Sequence, residues 1–417
     1  AALVEKSLVL HETQGGGTRY RFMESMREYA RERLGAEMSL WRTRHAAYVR
    51  TLAERIERSS GAQPTRLWLP AFIPDDENFV AALDWCLGEG QDVVTGAAIA
   101  AGLMPYWEAT SRAPAGVLLW LERALAAEEQ LPPLLVAQLY LATTFILRQA
   151  SIEPQRALAL AERAAAIARD AGEARLSALA ALNIGGAHLM LIDVEAAQPF
   201  FEEALDGARE VHDRLTESDA LNCLGMCADY RGDAVASRAH YSEALAIARS
   251  LGHDRKTARA LHNLSAIDQD LGELDSALQY EREAVAILER YGTPRAFLVD
   301  LADLHLIRGD VETAYAICRD ILEGLVAGSE LWMVRECLFV FAQLHVRRGH
   351  ALRAARLLGF TSTLEKELAP RQPTIEEMYV KFVETVRNAL PGTYEVAFAE
   401  GTLLTLTDAV AEANLPL

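Results

Sequence analysis

The sequence predicts an all-α chain: helical hairpins stacked into a superhelix, preceded by a partial domain with one β-hairpin. Three observations carry that prediction. A five-residue word returns every forty residues, as LERAL at 121, AERAA at 161, FEEAL at 201, YSEAL at 241 and EREAV at 281. Each period holds two apolar stripes at helical spacing with a glycine turn between them. Alternation with a period of two stands out only at the N-terminal end, between residues 8 and 22.

That N-terminal stretch reads as a hairpin. Leu8 and Leu10 alternate on one strand and Tyr20 and Phe22 on the other, with Arg19 and Arg21 facing away and Gly15, Gly16 and Gly17 at the tip. The glycines do not form a phosphate loop. Such a loop needs a lysine after its last glycine, and the four lysines Lys6, Lys256, Lys366 and Lys381 follow Glu5, Arg255, Glu365 and Val380. Next, Ser25 and Glu28 have capping-box spacing, and Met26, Tyr29, Ala30 and Leu34 stripe a helix ending at Gly35.

The repeats follow. In residues 220–252, Leu221, Leu224, Gly225 and Ala228 stripe a first helix, Arg231–Gly232–Asp233 turn the chain, and Tyr241, Ala244, Leu245 and Ala248 stripe a second. Gly225 and Ala244 allow the helices to approach closely. Equivalent units are expected around 180–212, 218–251, 258–291, 296–325 and 336–360, with degenerate units before them. The turn Arg308–Gly309–Asp310 comes 37 residues after Gly272, and the next, Arg348–Gly349–His350, comes 40 later. A single hairpin cannot bury its apolar stripe alone, so neighbours must stack, leaving a concave inner face. From Pro373 onward the period is lost, and a helical cap closes the stack.

Composition narrows the function. The chain has 417 residues, is 51% hydrophobic and carries a net charge of −18. Residues 1–60 hold eleven Lys or Arg against eight Glu, a local +3 that leaves −21 elsewhere. Such a surface repels nucleic-acid phosphate over most of its extent. The longest nearly apolar run, residues 93–107, contains Pro105 and falls short of the roughly 18 residues a membrane span needs. Five scattered cysteines fit a reducing, cytoplasmic setting. The first residue is not Met, and the chain is expected to begin inside a longer one.

Two resemblances follow from these residues. The repeat resembles the tetratricopeptide repeat, lengthened from the usual ~34 residues to about 40. Residues 3–10 (LVEKSLVL), 19–34 (RYRFMESMREYARERL), 44–57 (RHAAYVRTLAERIE) and 75–87 (DDENFVAALDWCL) resemble the end of the winged helix and the adjoining arm of bacterial signal-transduction ATPases and LuxR-type regulators. That resemblance implies a division into the C-terminal part of a winged helix (1–35), a helical connector with a degenerate first repeat (36–130), tetratricopeptide-like repeats (131–360) and a C-terminal helical cap (361–417). It also implies an upstream ATPase domain in the parent chain as a partner.

Candidate contact residues come from the repeat register. The position after the leading leucine of each first helix holds Asn183, Asn222, His262 and Val299, and positions further along hold Met226, Asp229, Tyr230, Gln269 and Asp270. On the concave face these side chains would meet a protein, peptide or small-molecule effector. The alternative is that they are solvated or hydrogen-bond between neighbouring helices. Cys223 and Cys227 stand one helical turn apart, but nothing completes a metal set at recognisable spacing. His305 and His345 each lie four residues before a turn glycine, which points to a structural role. HETQG is not HExxH, and no GxSxG occurs.

No catalytic, cofactor or metal residues are therefore expected. Direct nucleic-acid contact through Arg19, Arg21, Arg27 and Arg31 is not expected either, because the recognition helix of a winged helix would lie upstream of residue 1. The expected function is a non-enzymatic sensor or interaction arm, with a self-association scaffold as the alternative.

Overall fold

A computed structural model describes residues 5–6, 8–14, 17–90, 92–110, 116–292, 295–328, 330–365, 368 and 373–415. Within these the chain is helical apart from one two-stranded antiparallel sheet. Strands β1 (Val9–Gln14) and β2 (Gly17–Phe22) pair in the register Val9↔Phe22 to Gln14↔Gly17. The tip glycines Gly15 and Gly16 lie outside the described residues. The hairpin is present, but its faces differ from the expectation: Val9 is buried, whereas Leu10 and Phe22 are exposed and Tyr20 is 66% exposed. Alternation alone could not tell which face meets a neighbour.

The chain divides into two compact units, Ala1–Cys227 with Ala246–Asp254, and Ala228–Leu245 with Arg255–Leu417. In the first unit, α1 (Glu24–Leu34) follows the hairpin. Its N-cap is Met23 in an extended conformation with no side-chain cap, so the Ser25–Glu28 capping box does not form. The helix starts two residues too early for Ser25 to be its N-cap. Then come α2 (Met38–Ala62), α3 (Asp76–Cys86), α4 (Val93–Gly102), α5 (Met104–Thr110) and α6 (Val117–Leu125), packed around Val49, Leu52, Ile56, Leu83 and Ile99.

The regular hairpins start with α7 (Pro133–Gln149) and α8 (Pro154–Asp170), followed by α9 (Ala174–Met190) and α10 (Val194–Glu210). The chain continues through α11 (Arg214–Tyr230), α12 (Ala234–Leu251) and α13 (Asp254–Asp270). In the second unit follow α14 (Leu274–Leu288), α15 (Arg295–Arg308), α16 (Val311–Ala327), α17 (Leu331–Arg347) and α18 (Ala351–Leu364). The predicted units coincide with these pairs.

The backbone shows why the period is forty. Positive φ recurs every twenty residues, at Gly172, Ile192, His212, Gly232, Gly252, Gly272 and Gly292. Each helix ends in one left-handed residue that reverses the chain. The next such turn, Gly309, follows Gly292 after only seventeen residues, so the three-residue contraction falls on α15. Small side chains recur where helices cross: Ala164 and Ala204 are fully buried, as are Ala284 and Ala354. At Gly185 a Cβ would stand 2.7 Å from the Phe201 ring, so the missing side chain on α9 is the seat of the aromatic on α10.

The cap consists of α19 (Pro373–Ala389), α20 (Tyr394–Gly401) and α21 (Leu406–Ala413). Helix α21 opens with a capping box, Thr405 with Asp408. Tyr379, Val386, Tyr394, Ala397, Ala409 and Ala413 extend the apolar core formed by α16, α17 and α18. Helices α18 and α20 touch backbone to backbone: a Cβ at Gly359 would lie 2.1 Å from the Phe398 carbonyl oxygen, and one at Gly401 2.0 Å from that of Arg356.

Candidate functional site

The expected contact residues divide by burial. In the first unit Asn183 is buried, accepts a hydrogen bond from Arg148 Nη1 (3.2 Å) and donates to the Leu179 carbonyl (2.8 Å). Asn222 is buried too, its amide 3.8 Å from the partly buried Met226 sulfur. Asn183 thus bonds to a neighbouring helix, and Asn222 along its own. In the second unit Asp229 and Asp270 are exposed, and Tyr230 and Gln269 half-buried. Partial desolvation holds the Asp229 and Asp270 carboxyls above their ordinary range, and the charge of Asp270 raises Asp229 further. Val299 is not on a contact face but in the core. The contraction before Gly309 rotates α15 relative to the forty-residue register.

His262 is where polar groups converge. Its Nδ1 lies 3.2 and 3.1 Å from the two oxygens of Glu281 on α14 and 3.9 Å from Asp300 Oδ2 on α15. The Phe297 ring meets the imidazole edge-on, centroids 5.0 Å apart, and fixes its plane. The ligand atoms of His262, Glu281 and Asp300 all lie within 4.8 Å of one another. On α15 and α17, Asp303 accepts from Gln343 Nε2 (3.4 Å), and Arg335 donates to Glu336 (2.7 Å). Glu281 and Asp300 thus face the imidazole, and Asp303 and Glu336 lie close enough to Asp300 for their charges to act on it.

The electrostatics follow from that imbalance. Burial works against charge on His262, but the hydrogen bond to Glu281 and the charges of Asp300 and Glu281 outweigh it and lift the imidazole to about 9. Desolvation, reinforced by Glu281, Asp303 and Glu336, pushes the Asp300 carboxyl up although half of that side chain stays open. Desolvation and Glu336 push Asp303 up as well, against the bond from Gln343. Glu281 is only 1% exposed.

Residue spacing missed Glu281, Asp300, Asp303 and Glu336, yet a signal was there. Forty-residue steps back from 281 meet Tyr241 and Phe201, both buried aromatics. A carboxylate therefore sits where two earlier repeats place a ring.

The remaining candidates lie elsewhere. All five cysteines are buried free thiols. His305 Nε2 faces Arg282 (3.2 Å) and its Nδ1 faces Asp310 (3.0 Å). His345 donates from Nε2 to the Ala413 carbonyl (3.3 Å), while its buried Nδ1 has no partner. Arg21 and Arg27 both approach Glu77, at 3.3 and 3.9 Å. The Arg19 and Arg31 side chains lie outside the described residues. No described helix is long and apolar enough to cross a membrane.

Comparison with known proteins agrees with this geometry. The tetratricopeptide repeat family model matches residues 216–290. The hairpins within that stretch match tetratricopeptide repeats. Proteins named as HTH-type transcriptional regulators in Mycobacterium tuberculosis and Mycobacterium bovis are 30% identical over 300 residues, which is 69% of this chain and 33% of theirs. The chain thus spans about a third of the length of the curated relatives it matches. Among solved structures, a Rap protein complexed with competence and sporulation factor aligns at 14% identity and TM-score 0.55, covering 77% of this chain and 98% of that one. A Pyrococcus horikoshii signal-transduction ATPase with numerous domains and a tetratricopeptide repeat sensor aligns at 14% identity and TM-score 0.52, over 92% of this chain and 60% of that one. At those identities the two share the tetratricopeptide repeat fold with this chain.

Proposed function

We propose that the chain is the non-enzymatic interaction arm of a multidomain, cytoplasmic transcription regulator of the signal-transduction ATPase type, and that its repeats bind a protein or peptide effector. The observation that carries this is the polar inventory of the first helices in the second unit: His262 and Gln269 on α13, Asp303 on α15, Glu336 and Gln343 on α17. Such side chains on otherwise apolar helices offer donors and acceptors for an extended backbone. The names of the relatives and the factor bound in the Rap complex support the same class of role.

Within that reading, residues 1–35 end a winged helix, 36–130 connect it to the array, 131–360 are the repeats and 361–417 the cap. Effector binding would act as differential affinity for two positions of the winged helix against the upstream ATPase. Panning a displayed peptide library against the immobilised chain tests the effector site. Recovered peptides should lose affinity at least tenfold on Asp303→Asn and Glu336→Gln. Peptides indifferent to both would overturn the assignment. A self-association scaffold is tested by sedimentation: a concentration-independent monomer rules it out.

A further inference from the structure

We infer that His262, Glu281 and Asp300 form a binding site for a first-row divalent metal ion, with Zn2+ as the reference. The site belongs to one unit and stands apart from the effector reading, since it needs neither a partner nor the upstream chain.

The donor set comes first. One imidazole nitrogen and two carboxylates arrive from three successive helices, α13, α14 and α15, and their ligand atoms lie within 4.8 Å of one another. Donors bound at about 2.0–2.2 Å to one ion stand roughly 3–3.5 Å apart. The observed 3.1 Å from His262 Nδ1 to Glu281 and 3.9 Å to Asp300 need only sub-ångström side-chain adjustment to meet that. Phe297 holds the ring in plane. A single imidazole with two carboxylates favours zinc, manganese or iron(II) over magnesium and calcium, which take oxygen donors.

An independent observation concerns Glu281. The repeat assigns its position to a buried ring, Phe201 and Tyr241 in the two preceding units. A carboxylate taken out of water there is costly unless a cation meets it. Packing would be served by an aromatic, so the departure is explained by what the carboxylate binds. One imidazole does not balance the two carboxylates, Glu281 and Asp300, that face it. A divalent ion does so better. Asp300, with a side chain 50% exposed, gives the ion a path from solvent and leaves further coordination positions to water or a partner atom.

The test uses the whole chain after stripping with EDTA, titrated calorimetrically with ZnCl2, MnCl2 and MgCl2. One Zn2+ per chain is expected, with Mg2+ at least 100-fold weaker. Asp300→Asn should weaken zinc at least tenfold with an unchanged far-UV spectrum, since that side chain is half open. His262→Gln should weaken it as much, and Co2+ in the parent chain should give visible d–d absorption that both variants lose. No stoichiometric binding up to millimolar zinc, or binding that survives both substitutions, overturns the inference.

Discussion

Replacing Glu281 by Gln keeps the shape of the buried side chain and removes its charge, so the variant isolates what the carboxylate does for His262. The imidazole is lifted from 6.5 to about 9. At ~1.36 kcal/mol per decade that interval sets an upper limit of about 3 kcal/mol. The His262 side chain is 34% exposed, and solvent screening reduces the contribution to about 1–2 kcal/mol. Because the folded-state value lies above the unfolded one, this stability is fully present below pH 6.5 and is lost as pH rises through about 9. In metal-free protein with labelled histidine, NMR titration should find one ring with a midpoint near 9, identified by its absence in His262→Gln. In Glu281→Gln that midpoint should fall by more than one decade, with about 1–2 kcal/mol lost in urea unfolding at pH 6 and less at pH 9.5. A His262 midpoint near 6.5 in the parent, or one unmoved by the substitution, would refute the reasoning.

Three further outcomes follow from the packing. Gly359→Ala must open the α18–α20 crossing by about 1 Å, since carbon and oxygen touch at roughly 3.3 Å. An overpacking cost of about 1–3 kcal/mol then exceeds the ~1 kcal/mol helix-propensity gain, whereas Gly61→Ala, with nothing within 4 Å, should be neutral or stabilising; urea unfolding gives both signs. At the turns, Ile192→Gly should stabilise by about 1 kcal/mol and Gly232→Ala destabilise by about as much, because φ is +59° and +73° there; equal melting temperatures would contradict the turn account. His345, fully buried and with Nδ1 unpartnered, is held down to about 4 by burial against its bond to Ala413. Its folded value lies below the unfolded 6.5, so up to about 3 kcal/mol disappears as pH falls from 6.5 towards 4; His345→Phe should flatten that limb of the urea-midpoint profile.

The repeat was legible because one constraint is copied. Helices crossing closely need a small residue at the same place each time, and Ala164, Ala204 and Ala284 hold it in register. The turns were legible only where glycine marks them. Ile192 and His212 adopt the same left-handed backbone without the cue, since an exposed turn tolerates a strain of about 1–2 kcal/mol. The site was hidden for two reasons. Glu281 is conspicuous only once the forty-residue frame is laid over Phe201 and Tyr241. Asp300 lies in the contracted unit, where a forty-residue step from His262 lands on Ala302 and a 37-residue step on Val299, both core residues. The exposed face of the hairpin depends on neighbours that a period of two does not encode.

The central claim is that the first helices of the hairpins are the working surface. Hydrogen exchange on the whole chain, with and without a saturating library-selected peptide, tests it most directly. The account predicts slowed exchange in α13, α15 and α17, with α16 and α18 little changed. Protection confined to α16 and α18, or to residues 24–62, would contradict it.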